Sequence, residues 1–195
     1  KTDSWSENGR LLKVGKVRIK TTPSIVFDRA KFSQVLDLQI GSIKIQTSGT
    51  ILNGEKISAN MDVWVDANNP VIHVQQQSAI PIKMTAQLEP WRTEPSALPS
   101  LEVSDLLEDR SKPGSLHEPV IVTPDQLIKN KDFIGWYHFN EKSLGFELVN
   151  KLQGLDEYFQ KDPLQDRIFG AAVTAENASR IDDKTLETES AKQNC

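Results

Sequence analysis

Apolar and polar residues alternate most regularly between positions 57 and 92. Ile57, Ala59, Met61, Val63 and Val65 fall on one phase, and Asn60, Asp62, Trp64 and Asp66 on the other. A repeat of two is that of a pleated strand with one covered face. Ala67-Asn68-Asn69-Pro70 is turn chemistry, because Asn takes left-handed conformations and Pro stops a ladder. Val71, Ile72 and Val74 then make a short apolar strand. After Ser78-Ala79-Ile80-Pro81, the alternation resumes at Ile82, Met84, Ala86 and Leu88. The pattern predicts a three-stranded meander.

The rest of the chain extends that plan. Residues 10–22 read as a first strand whose apolar phase changes at Gly15, as a β-bulge would make it. Lys13, Lys16, Arg18 and Lys20 take its outward positions, and Pro23 ends it. Leu36, Leu38 and Ile40 precede Gly41-Ser42, with Ile43 and Ile45 after it. A two-residue loop at 41–42 would pair Ile40 with Ile43 and Leu38 with Ile45. From 93 to 119 periodicity is lost among prolines, serines and acids, with a short helix expected around 101–109. Strand composition returns at 119–122, in Phe133-Ile134-Gly135-Trp136-Tyr137-His138-Phe139, at 144–149 and at 168–173. Beyond Asn177 the sequence is polar and aperiodic and predicts no regular structure. The domain plan is therefore a β domain over 1–175 with an irregular excursion at about 93–119. A polar tail or linker follows at 176–195.

Composition narrows the class. The chain has 195 residues, 37% hydrophobic and 26% charged, which suits a globular protein. No apolar run reaches the roughly 18–20 residues of a spanning helix, so no membrane span is expected. The net charge of -4 is unevenly distributed. Residues 1–50 hold nine Lys/Arg against four Asp/Glu, and residues 101–195 hold eleven against eighteen. A solvated strand face studded with Lys and Arg accounts for the basic part, and no nucleic-acid partner is expected. Cys195 is the one cysteine, which leaves no internal disulfide and no Cys-based metal site. The polar start without Met reads as a piece of a longer protein.

Candidate chemistry is sparse. His73, His117 and His138 are far apart and lack metal-ligand spacing, so no metal and no cofactor is expected. There is no Gly-x-Ser-x-Gly elbow, no Walker loop and no dinucleotide fingerprint. Nothing nominates a pair of carboxylates set roughly 5–10 Å apart across a glycosidic bond, and no catalytic residue is assigned. The aromatic positions are the informative ones, since exposed rings stack on the apolar C–H faces of sugars. Trp64 alternates away from the meander's inner face and reads as packing. Trp91 and Arg92, at a strand end, read as either a structural clamp or a contact to ligand or partner. Trp136 and His138 read as either core or a sugar-facing surface. Trp91, Arg92, Trp136 and His138 are thus the candidate ligand-binding residues.

Several segments resemble a known family. Asp3-Ser4-Trp5-Ser6-Glu7-Asn8-Gly9-Arg10-Leu11-Leu12-Lys13-Val14-Gly15-Lys16-Val17-Arg18 is similar to the opening of a large family of secreted bacterial proteins. Their N-terminal domain is of unknown function, and they look related to family 95 and family 65 glycoside hydrolases. Val63-Trp64-Val65-Asp66 with Val71-Ile72-His73-Val74, Glu89-Pro90-Trp91-Arg92, Trp136-Tyr137-His138-Phe139, and Gln153-Gly154-Leu155-Asp156 with Phe169-Gly170 follow in order. The resemblance implies an antiparallel β-supersandwich, galactose-mutarotase-like, that begins here after its leading strands. It also implies a secreted or periplasmic location. The expected function is that of a noncatalytic N-terminal β-sandwich domain, inactive alone, packing on the missing C-terminal (α/α)6 catalytic barrel of the same parent. The alternative is a free-standing carbohydrate-binding or cell-surface interaction module, with a glycan as ligand. A complete small enzyme ranks last, for want of an acid/base pair.

Overall fold

The computed structural model describes residues 15–50, 54–97, 121–141, 150, 153–155, 157–158, 162 and 165–195. The expected strand at 144–149, the helix at 101–109, most of the 93–119 excursion, His117 and the opening segment up to Val14 lie outside them. The fold is all-β and antiparallel, and its sheets do not close into a barrel. The chain forms two compact units. One comprises Lys1–Lys16, Glu89–Ile128 and Gly135–Ala172; the other comprises Val17–Leu88, Lys129–Ile134 and Val173–Cys195.

The second unit carries an eight-stranded sheet. Its strands are β1 (Lys16–Thr22), β2 (Lys31–Asp37), β3 (Ser42–Thr50), β4 (Lys56–Val65), β5 (Ile72–Glu89), β11 (Ala178–Arg180), β12 (Thr185–Thr188) and β13 (Ala191–Asn194). The order is β11-β12-β5-β4-β3-β2, with β1 and β13 also paired to β5. β4 keeps the predicted phase: Ile57, Ala59 and Met61 are buried while Ser58 and Asn60 are exposed. Ile25, Ile57, Ala59, Met61 and Ile82 form the core, backed by Ile19, Phe27, Ile45, Val63, Val74 and Ile80. Burying each large aliphatic side chain contributes about 1.5–3 kcal/mol.

Three sequence expectations change here. The hairpin joins β2 to β3, but its ladder pairs Leu36 with Ile43 and Asp37 with Ser42. The turn therefore spans 38–41 rather than 41–42, and Leu38 and Ile40 are exposed. Asp37 is the reason. Its Oδ1 accepts from the backbone of Gln39 at 3.1 Å and Ile40 at 3.4 Å, and Gly41 closes the turn at φ 66°.

Next, Ser78-Ala79-Ile80-Pro81 does not end a strand. β5 runs unbroken for 18 residues and exchanges partners along its length. Residues 72–78 pair with β4 and 85–87 with β12. Against β13 the register shifts between Gln77 and Ile82, and Pro81 falls inside that irregularity, where no ladder donor is needed.

Finally, the 176–195 segment, expected to be a polar tail or linker, forms β11–β13. Its strands pair in antiparallel ladders, and polar side chains add further bonds to β5. Thr188 Oγ1 accepts from Met84 N at 3.0 Å, and Asn194 Nδ2 donates to Gln76 Oε1 at 3.0 Å and Ile82 O at 2.7 Å. Leu186 is the buried apolar anchor.

The first unit carries two small sheets. One is ordered β10 (Ile168–Val173), β9 (Ile134–Phe139), β8 (Gln126–Leu127); the other pairs β6 (Ser96–Ala97) with β7 (Ile121–Val122). β9 forms where the Trp-Tyr-His-Phe composition predicts it. Gly170 lets β10 approach closely, since a Cβ there would overlap Trp136 O and lie 2.9 Å from Tyr137 Cα.

Candidate functional site

The polar centre of the first unit is assembled from three separate pieces of chain. Arg92 lies just past the end of β5, Asp125 just before β8, and His138 on β9. Asp125 N donates to Arg92 O at 2.8 Å, which ties the two turns together through the backbone. The Asp125 side chain, with no exposed surface, accepts at Oδ1 from Arg92 Nε at 2.8 Å and faces His138 Nδ1 at 3.1 Å. Phe169 of β10 packs beside this cluster. The Arg92 guanidinium carbon lies 5.1 Å from its ring centre, and the His138 ring 5.2 Å away at a 39° tilt. Trp136 meets the same ring edge-on at 6.4 Å.

Electrostatics set the protonation state. Burial holds the His138 pKa below its ordinary value, repulsion from Arg92 lowers it further, and Asp125 opposes both. The imidazole is neutral near pH 7. Its proton sits on Nδ1 facing the carboxylate, which leaves Nε2 as a hydrogen-bond acceptor. Among the described residues, the buried Arg92 Nη2 and Asp125 Oδ2 have no hydrogen-bond partner. One is a donor and the other an acceptor. Among the described residues no group of three or more His, Cys, Asp and Glu could hold a metal ion.

In the second unit, Trp64 and His73 are cross-strand partners on the sheet's outer face. Their rings stack at 4.9 Å and 14°. His73 Nε2 lies 3.8 Å from Asp66 Oδ2. Asp66 also caps the adjoining turn, accepting at Oδ1 from Asn68 N at 2.8 Å and Asn69 N at 3.0 Å. Those backbone bonds hold its pKa below the ordinary carboxylate value. His73, which the apolar run around it marks as a core residue, is only half-buried.

Of the four candidate ligand-binding residues, the structure joins Arg92 and His138 through Asp125. Trp136 is buried behind them, and Trp91 is 49% exposed. Asp125 is the member that the sequence did not single out, and Phe169 enters there only within the Phe169-Gly170 segment of the resemblance. Thr123-Pro124-Asp125 reads as a turn, and nothing local distinguishes this acid from the other 26. Among the described residues no helix is long and apolar enough to cross a membrane.

No curated protein and no solved structure matches the chain. A model described as a domain of unknown function (DUF5703) matches residues 1–194, and the chain belongs to that N-terminal domain family.

Proposed function

We propose that this chain is a noncatalytic β domain of a secreted bacterial protein related to glycoside hydrolases. Its role is to pack on an (α/α)6 catalytic barrel of the same parent, as a supersandwich domain of galactose-mutarotase type would. The observation that supports this reading is an uncovered apolar surface in the second unit. The covered face of β2–β5 continues past the core to Leu36, Val65 and Ile72, which are 60%, 65% and 68% exposed. They adjoin the partly buried Ile43, Val63 and Val74, and the β2–β3 turn adds the exposed Leu38 and Ile40. A contiguous apolar surface at the end of a sheet is the signature of a docking face rather than of scattered exposure. The acid/base centre of a glycosidase needs two carboxylates, whereas the Arg92 cluster centres on one carboxylate, that of Asp125, which is fully buried.

The test is a hydrolysis screen on polysaccharides, run on the 195-residue chain and on its longer natural parent. Hydrolysis by the parent with none by the chain is the expected result. Hydrolysis by the chain alone overturns the reading. A second arm measures association of the chain with the separately produced barrel. Leu36→Ser with Ile72→Ser should weaken that association at least tenfold, and unchanged association would refute the docking face.

A further inference from the structure

The face of the β2–β5 sheet opposite the core carries an unusual row. Register places Ser33 beside Gln46, Gln46 beside Asn60, Asn60 beside Gln77, and Gln77 beside Gln193. Cross-strand partners project to the same side, so these five side chains form one line across five strands at intervals of ~4.8 Å. The opposite parity confirms the direction: the neighbouring Met61, Gln76 and Asn194 are buried. All five members of the row are exposed, and none makes a side-chain hydrogen bond among the described residues. A shallow groove of about 330 Å³ runs over part of the row, lined by the outward-facing Lys31, Ser33, Gln46, Ser48, Ser58 and Asn60 together with Phe32 and Thr47 of the opposite parity.

An ordinary solvated sheet face is dominated by Lys, Glu and Thr. Here four of the five members are amides, each offering two donors and an acceptor without charge. The two adjacent rows carry Lys31 and Lys44 against Asp62, and the rows beyond them carry Lys56 on one side and Asp37 on the other. A nucleic acid would need a dense run of Lys and Arg along its path, and the row itself carries no charge. A protein partner would need a desolvated aromatic or apolar centre, and the row has none. A strand added to the sheet would use an edge, whereas these groups stand on a face. What fits is a flat, extended, uncharged chain rich in hydroxyls, each of which donates and accepts. The Trp64–His73 stack stands on the same face, two residues along each strand beyond the Asp62 and Gln75 row, where a ring of such a chain could rest.

We propose that this amide row is a binding face for an extended neutral polysaccharide. It lies on the opposite side of the sheet from the apolar docking surface, so either assignment can fail without the other. Affinity gel electrophoresis tests it directly. The 195-residue chain is run through gels containing mixed-linkage β-glucan, galactomannan, xyloglucan or dextran, and through one containing the anionic polygalacturonate. Retardation in at least one neutral gel is expected. Gln46→Ala combined with Asn60→Ala and Gln77→Ala should weaken that binding at least about tenfold, the sum of three exposed neutral hydrogen bonds. The three positions are exposed, so an unchanged thermal melt establishes that the variant is folded. If Gln46→Ala alone is used where the triple variant melts early, a loss of about threefold is expected. Absence of retardation in every neutral gel overturns the proposal. So does equal retardation of wild type and variant, or stronger retardation by polygalacturonate than by any neutral polymer.

Discussion

Replacing Asp125 with Ala removes the acceptor on which the first unit's polar centre converges. Its Oδ1 receives Arg92 Nε at 2.8 Å and faces His138 Nδ1 at 3.1 Å, and the side chain has no exposed surface. The Arg92 side chain, only 14% exposed, would keep its charge without a counter-charge. Breaking one partner of a buried ion pair costs about 3–5 kcal/mol. Hydrogen bonds to charged groups, at about 1.5–3 kcal/mol each, lead to the same range when two are lost. The backbone bond from Asp125 N to Arg92 O survives the substitution, so the loss belongs to the side chain. For a chain of this length, a destabilisation of about 3–5 kcal/mol lowers Tm by roughly 6–20 °C. Urea denaturation followed by tryptophan fluorescence reads it, because Trp91 and Trp136 lie in the same compact unit as Asp125. A Trp64→Phe background removes the reporter in the other unit. Asp125→Asn keeps an oxygen acceptor but loses the charge, and should cost about half as much. A loss under about 1 kcal/mol for Asp125→Ala would refute the cluster as a stabilising centre. So would an Arg92→Ala, Asp125→Ala double-mutant cycle that is additive within about 0.5 kcal/mol.

Three further predictions rest on separate features. His138 has a pKa in the folded chain below the unfolded value of about 6.5, so the unfolded state binds the extra proton first. Its contribution is fully present above about pH 6.5 and is lost as pH falls through the folded value. Urea melts at intervals from pH 7.5 to 5 should show a steeper fall for wild type than for His138→Gln, and identical slopes would contradict the assignment. Asn194→Ala leaves Gln76 Oε1 and Ile82 O without their donor in a buried site, and should cost about 1–3 kcal/mol in a thermal melt. A neutral result would mean that β13 does not close the sheet. Gly170→Ala forces a methyl group against the Trp136 backbone, and a destabilisation of about 1–3 kcal/mol is expected by calorimetry, against none if β9 and β10 can separate freely.

Much of the fold is legible where local chemistry alone decides it. Alternation assigns the two faces of β4, because successive side chains of a strand must point opposite ways. Ala67 through Pro70 spells a turn by its residue types, and the aromatic run 134–139 spells β9. Tertiary structure decides wherever the partner is distant or a side chain competes with the pattern. The β2–β3 register follows the Asp37 capping bonds rather than the apolar pairing of Leu38 and Ile40. Pro81 is tolerated because β5 changes neighbours there, and no local signal reports which neighbours a strand will have. β12 and β13 become strands through contacts with β5 that span about a hundred positions or more, as in Asn194 to Gln76 at a separation of 118, and β11 then pairs with β12. The candidate centre divides in the same way. Arg92 and His138 stand out by residue type, but Asp125, 33 positions from Arg92, acquires its meaning only when the chain folds it between them. An isolated polar residue carries no record of its burial, and burial is what turns a turn aspartate into the centre of a cluster.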